Sequence, residues 1–90
     1  MIIGKVAGTI YSTINHAFYD HKKLLLVDKT DAKGRPTGDY IIAVDALEVG
    51  AGAGETVLII DEGNSARQIV KDPKAPIRSI IIGIIDSIEL

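Results

Sequence analysis

Three groups of residues in this 90-residue chain are of types that could do chemistry. The first is the loop Val49-Gly-Ala-Gly-Ala-Gly-Glu55, in which Gly50, Gly52 and Gly54 have the small-residue spacing that can cradle phosphate. A phosphate cradle needs a helix N-terminus directly behind it, where free amides and the dipole attract the anion. Here the β-favouring run Thr56-Val-Leu-Ile-Ile60 follows, and no Lys-Ser/Thr pair closes the loop. The glycines therefore read as architectural: either a tight loop between two strands, or a place where several copies of the loop crowd around a symmetry axis. The second group is His16, Asp20 and His21. A five-residue spacing does not stack two imidazoles on one helix face, and no further His or Cys completes a shell, so solvated surface histidines are expected and no metal site. The third group comprises Asp45, Glu55 and Asp86, each beside an apolar run, together with Ser65 and Arg67. Two carboxylates could act as general acid and base, but nothing in the sequence brings any two together. The expected role of Asp45 is an ion pair or a hydrogen bond to backbone amides, because buried carboxylates have partners. Ser65 has no His base near it in sequence, so no nucleophilic triad is expected. Arg67 is expected to bind a carboxylate or carbonyl at a subunit boundary through its planar fork.

The elements that must position these residues are mostly strands. Ile2 to Thr13 alternates, with Ile2, Gly4, Val6, Gly8 and Ile10 on one face, which predicts a half-buried strand. Gly4 and Gly8 leave room on that face for another backbone or for the bend of a small barrel. Asn15 to Lys22 reads as an irregular loop, and Lys23 to Val27 as the second strand. Asp31 to Gly38 is dense in turn-forming residues and predicts an exposed hairpin tip. Strands are predicted over Asp39 to Glu48 and Glu55 to Ile60. A short helix follows, capped by Asn64 or Ser65 and running through about Lys71 until Asp72-Pro73 ends it. The last strand is predicted from Ile77 to Ile88. These elements amount to a mainly β fold: one domain over residues 1–90, a small five-stranded antiparallel barrel resembling the oligonucleotide-binding fold in outline, with one short helix. An outline of this kind carries no function by itself.

Composition narrows the partners. The chain holds 16 Ile, 6 Val and 6 Leu but one Phe and no Trp, more branched aliphatic side chain than one small core readily hides. The run Ile80-Ile-Ile-Gly-Ile-Ile85 is apolar on both faces, which predicts that a neighbouring subunit covers one of them and that the barrel assembles into a cyclic oligomer. A net charge of −2 with scattered Lys and Arg offers no basic stripe, so nucleic acid is not an expected partner. The absence of Cys fits a reducing interior, and neither a signal-peptide pattern nor a run of about 20 apolar residues is present, so membrane insertion is not expected.

Taken in order, Gly4-Lys-Val-Ala-Gly-Thr-Ile10, Ser12-Thr13, Lys23 to Val27, Ala43-Val-Asp45, Val49 to Glu55, Val57-Leu58, Gly63-Asn-Ser-Ala-Arg67 and Ile82-Gly-Ile-Ile-Asp86 closely resemble the vertex proteins of bacterial microcompartments. That family includes the carboxysome and ethanolamine-utilisation vertex proteins. The resemblance implies a five-stranded barrel with a short helix, assembled as a cyclic homopentamer that caps the fivefold corners of a polyhedral shell tiled by hexameric shell proteins. It implies a structural role in the bacterial cytoplasm, with no catalytic residues and no cofactor. Two departures stand out: Asp28-Lys-Thr30 replaces a Gln-Pro-Leu common among relatives, and Arg78 occupies a region often acidic. Subunit contact is expected to fall on Gly50, Gly52, Gly54 and Glu55 and on Ile80, Ile82 and Ile84, with Ser65, Ala66 and Arg67 reinforcing it. Two other functions compete: a small oligomeric ligand-binding or regulatory barrel with an anion site at the glycine loops, and a hydrolase subunit using Asp45 or Glu55.

Overall fold

A computed structural model describes residues 1–10, 22–71 and 78–86. The strands are β1 (Ile2–Ile10), β2 (Lys23–Thr30), β3 (Pro36–Asp45), β4 (Thr56–Asp61) and β5 (Ser79–Ile84), with one helix, α1 (Gly63–Val70), between β4 and β5. They close into a barrel in the order β1-β2-β3-β5-β4. Four seams are antiparallel, and the fifth, between β3 and β5, is parallel through the single pair Val44 and Ile80. The expectation of a wholly antiparallel barrel is thus corrected at one seam. An odd number of strands cannot alternate direction all the way around a closed ring, so one like-directed pair is unavoidable. His16, Asp20, His21 and the predicted ends of the first and last strands lie outside the described residues.

The barrel interior is aliphatic and closely packed. Val6, Leu25, Val27, Ala43, Ala51, Val57, Ile59 and Ile81 form one buried cluster, supplied by alternate residues of every strand and by the glycine loop. Gly4 is where β1 comes closest to β2: a Cβ built on it would strike the Val27 Cγ1 methyl and lie 2.8 Å from the Asp28 carbonyl oxygen. The predicted alternation of β1 holds only as far as Val6. A bulge at Ala7 shifts the register, so that Gly8 and Ile10 pair with Leu26 and Leu24 on the outer face. One inserted residue reverses which side every later residue faces.

A second cluster lies outside the barrel wall, beneath α1. Val44, Ala66 and Ile80 are buried there, with Leu24, Ile60, Ile69 and Ile82 packed around them. The two-faced burial of the last strand is therefore met in part within the chain, since Ile81 faces the interior and Ile80 faces the helix. Sequence reasoning assigned that second face to a neighbour, because composition cannot tell a helix of the same chain from a partner.

The helix is fixed at both ends. Its N-cap is Glu62, not Asn64 or Ser65: the Glu62 carboxylate accepts from the amides of Asn64 and Ser65 at 2.8 Å each and from the Ser65 hydroxyl at 2.7 Å. The Ser65 hydroxyl and these amides hold the Glu62 carboxyl below the usual glutamate range. Lys71, at φ 60°, closes the helix in the left-handed conformation. Asp61 ties β4 to β5 by accepting from the Ser79 hydroxyl at 2.5 Å and from Arg78 Nε at 3.2 Å, which keeps its carboxyl below the usual range. Arg78, one of the two sequence departures, thus has a partner within its own chain. At the β2–β3 tip, the exposed Asp31 side chain accepts from the amides of Lys33 and Arg35 at 2.9 Å each, and β3 resumes at Pro36, earlier than predicted.

Candidate functional site: a glycine loop held by two carboxylates and an exposed apolar strand face

The glycine loop leaves β3 and returns into β4, and its geometry follows from two carboxylates. Asp45, the one buried charged residue among those described, has 4% of its surface exposed. Its Oδ1 accepts from the Val49 amide and its Oδ2 from the Gly50 amide, both at 2.8 Å. Glu55 Oε1 accepts from the Gly52 amide at 2.6 Å. The Gly54 amide donates to the Val6 carbonyl at 2.8 Å, and the Val6 amide donates to the Glu55 carbonyl at 2.9 Å, which fastens the loop to β1. Gly50 and Gly54, at φ 79° and 88°, take conformations that side chains other than glycine rarely adopt.

This arrangement argues against an anion site. The amides of Val49, Gly50 and Gly52 are already donated to the chain's own carboxylates and that of Gly54 to a backbone carbonyl, and an incoming anion would meet the charges of Asp45 and Glu55. The same hydrogen bonds occupy the two carboxylates named as candidate acid and base. Asp45 takes the expected role of a backbone acceptor. Among the described residues, no group of three or more His, Cys, Asp or Glu is placed to hold a metal ion. An open hollow of about 410 Å³ beside the N-terminus is lined by Ile2, Ile3, Lys29, Thr30, Thr37 and Asp39, among others, and it presents one positive and one negative side chain instead of a converging charge.

The residues expected at a subunit contact separate into two sets. Ala66 and Ile80 are fully buried inside the protomer, so neither side chain has surface to offer a second copy. That expectation is corrected for both, because Ala66 is on the inner face of α1 and Ile80 lies in the cluster beneath it. Ile84 packs against the barrel interior and Ile82 against the helix cluster, each with only part of its surface left. The Ser65 hydroxyl serves the helix cap, and Arg67 Nη2 donates to Asn64 Oδ1 at 2.8 Å, across the face of Gly63. Gly50, Gly52 and Gly54 are exposed, and Glu55 is half-buried at the edge of the loop.

Sequence reasoning missed the apolar surface elsewhere. Tyr40 is 65% exposed and Ile42 49%, both on the outer face of β3 beyond the reach of α1. The signal was present in the run Tyr40-Ile-Ile-Ala-Val44, apolar at every position and so on both faces of the strand, as in the last strand.

The comparisons with known proteins bear on a fold built this way. Residues 1–86 match the family model described as "Ethanolamine utilisation protein EutN/carboxysome". The chain is 40% identical over 88 residues to the bacterial microcompartment shell vertex protein EutN of Salmonella typhimurium, covering 98% of this chain and 86% of that one. It superposes on CcmL of Gloeobacter violaceus with a TM-score of 0.87 at 37% identity, covering 100% of this chain and 90% of that one. It superposes on the pentameric microcompartment shell protein GrpN of Rhodospirillum rubrum with a TM-score of 0.83 at 37% identity, covering all of both chains. Such matches in sequence and in three dimensions, spanning the barrel, the glycine loop and the helix alike, place this chain in the EutN/carboxysome vertex protein family.

Proposed function

We propose that the protein is a structural subunit of a bacterial microcompartment shell, acting as a closed ring of five copies at the shell's vertices. The observation that carries this reading is the full-length similarity to a pentameric shell protein, over a chain in which the one buried carboxylate among the described residues serves its own backbone. Surface area agrees with it: the protomer exposes 5799 Å². A self-standing globular chain of its 9.6 kDa would expose about 5100 Å². A ring forms when one heterologous contact repeats through a rotation that closes, and five wedge-shaped barrels give the tapered plug that a flat hexagonal sheet needs at a corner.

In this reading Gly52 lies where neighbouring loops crowd together. Its backbone does not require glycine, and among the described residues a Cβ built on it would meet only Glu55 Oε1 at an ordinary 3.4 Å, so those residues give its lack of a side chain no cause. The rim of the ring meets hexameric shell proteins through weaker contacts, since the ring must be soluble before it docks. No bond is made or broken, and geometry is the product. Co-expression with hexameric shell proteins tests the proposal by electron microscopy. Closed polyhedra in its presence and open sheets or tubes in its absence are expected; hexamer assemblies unchanged by its presence would contradict the role.

A further inference from the structure

The ring of the preceding section requires two different faces on one protomer, and the outer wall of the barrel carries two apolar rows that neither core cluster uses. The first runs across β1, β2 and β3 as Gly8, Leu26 and Ile42, which are register partners in turn. The second runs across β1, β4 and β5 as Ile3, Leu58 and Gly83, again in register. Each lies just beyond the footprint of α1, whose cluster takes Leu24 and Val44 on one side and Ile60 and Ile82 on the other. Neither Leu26 nor Ile42, Ile3 nor Leu58 packs into either cluster.

The glycines that end the rows are informative. Neither Gly8 nor Gly83 has a positive φ, and a Cβ built on either would meet nothing within 4 Å. Glycine inside a strand is destabilising relative to alanine, and it commonly marks a place where another backbone comes close. Among the described residues no such backbone lies over either glycine. Each row presents two aliphatic side chains beside a bare backbone position, so the side chains of one row can seat over the glycine of the other.

We infer that the row Gly8–Leu26–Ile42 of one copy docks on the row Ile3–Leu58–Gly83 of the next, and that this pairing closes the ring. The occupant of each face is a second copy of this chain. The protomer exposes roughly 700 Å² more than a self-standing monomer of its mass, surface that contacts with sister copies cover. This inference rests on the ring reading and deepens it by naming the contact.

Because the chain contains no Cys, introduced thiols report cleanly. Ile42→Cys and Leu58→Cys are made singly and together, the native mass of each is recorded, and each is treated with a short bis-maleimide. The double variant is expected to give a ladder of two to five linked chains on denaturing gels, while each single variant stays unlinked, because in a heterologous contact a position does not meet its own copy. An intact ring whose double variant fails to link, or whose Ile42→Cys variant links to itself, overturns the pairing and leaves the ring standing. A single-chain mass for the unmodified protein overturns the pairing and the ring together.

Discussion

Gly4→Val is expected to cost the barrel about 3 kcal/mol or more, with the protomer's thermal midpoint falling by more than 10 °C or soluble protein lost altogether. The new Cβ would fall on the Val27 Cγ1 methyl and 2.8 Å from the Asp28 carbonyl oxygen. Neither obstacle can move aside. Val27 is fully buried in the barrel interior, and Asp28 O belongs to the β2 backbone at the register of the β1 seam. Inserting methyls into a packed core costs ~1–3 kcal/mol even where side chains can shift, and backbone displacement adds to that. A chain of this length has a total stability of only about 5–13 kcal/mol, and each kcal/mol lost lowers the midpoint by roughly 4–8 °C. Circular dichroism melts of the two proteins at one concentration decide it. A midpoint within 2–3 °C of the parent, on the order of half a kcal/mol, would mean that β1 and β2 do not approach as closely at Gly4 as described.

Gly52→Val is expected to do the opposite: to leave the protomer folded while abolishing the ring. Gly52 has no positive φ, is exposed, and has only the flexible end of Glu55 near its missing Cβ, so valine fits the isolated loop. In a ring of five the same intrusion recurs at every contact. A penalty of ~1–3 kcal/mol per crowded site therefore becomes about 5–15 kcal/mol per ring, which, spread over the four associations that build a pentamer, raises the concentration at which it forms by roughly 10- to 500-fold. Native mass spectrometry beside a far-ultraviolet spectrum separates the two effects. A parental spectrum with a mass near 9.6 kDa is the expected result. A parental ring would remove the loop from the contact. Gly52 is a cleaner probe than Ile82, whose side chain packs under α1, so that Ile82→Asp would weaken the protomer as well as any contact.

Much of the fold could be read from residue order. The turn chemistry of Asp31 to Gly38 marked the β2–β3 hairpin, and the switch from aliphatic strand to Gly63-Asn-Ser-Ala-Arg67 marked the helix. The misreadings have local physical causes. The bulge at Ala7 moved Gly8 and Ile10 to the outer face, since a single extra residue in one strand leaves the apolar alternation of the sequence unbroken. The cap fell to Glu62 because its longer side chain reaches the Asn64 and Ser65 amides that a shorter residue was expected to serve. The parallel seam needed only the count of strands, which was available.

The contact residues were harder to read. An apolar strand with two covered faces looks the same whether the cover is its own helix or another chain, and Ile80 proved to belong to the helix. Asp45 was expected to take either an ion pair or backbone amides, and only the folded loop shows that the amides of Val49 and Gly50 are its partners and are so withdrawn from an anion. The exposed pair Tyr40 and Ile42 lies in a run that is apolar at every position, and such a run does not show in sequence which of its two faces stays uncovered.

The account as a whole stands on five copies closing around an axis. Native mass spectrometry of the unmodified protein at micromolar concentration tests this most directly. A dominant species at five times the 9.6 kDa chain mass, falling to single chains only under denaturing conditions, is the result expected. A folded single chain as the dominant species would contradict it.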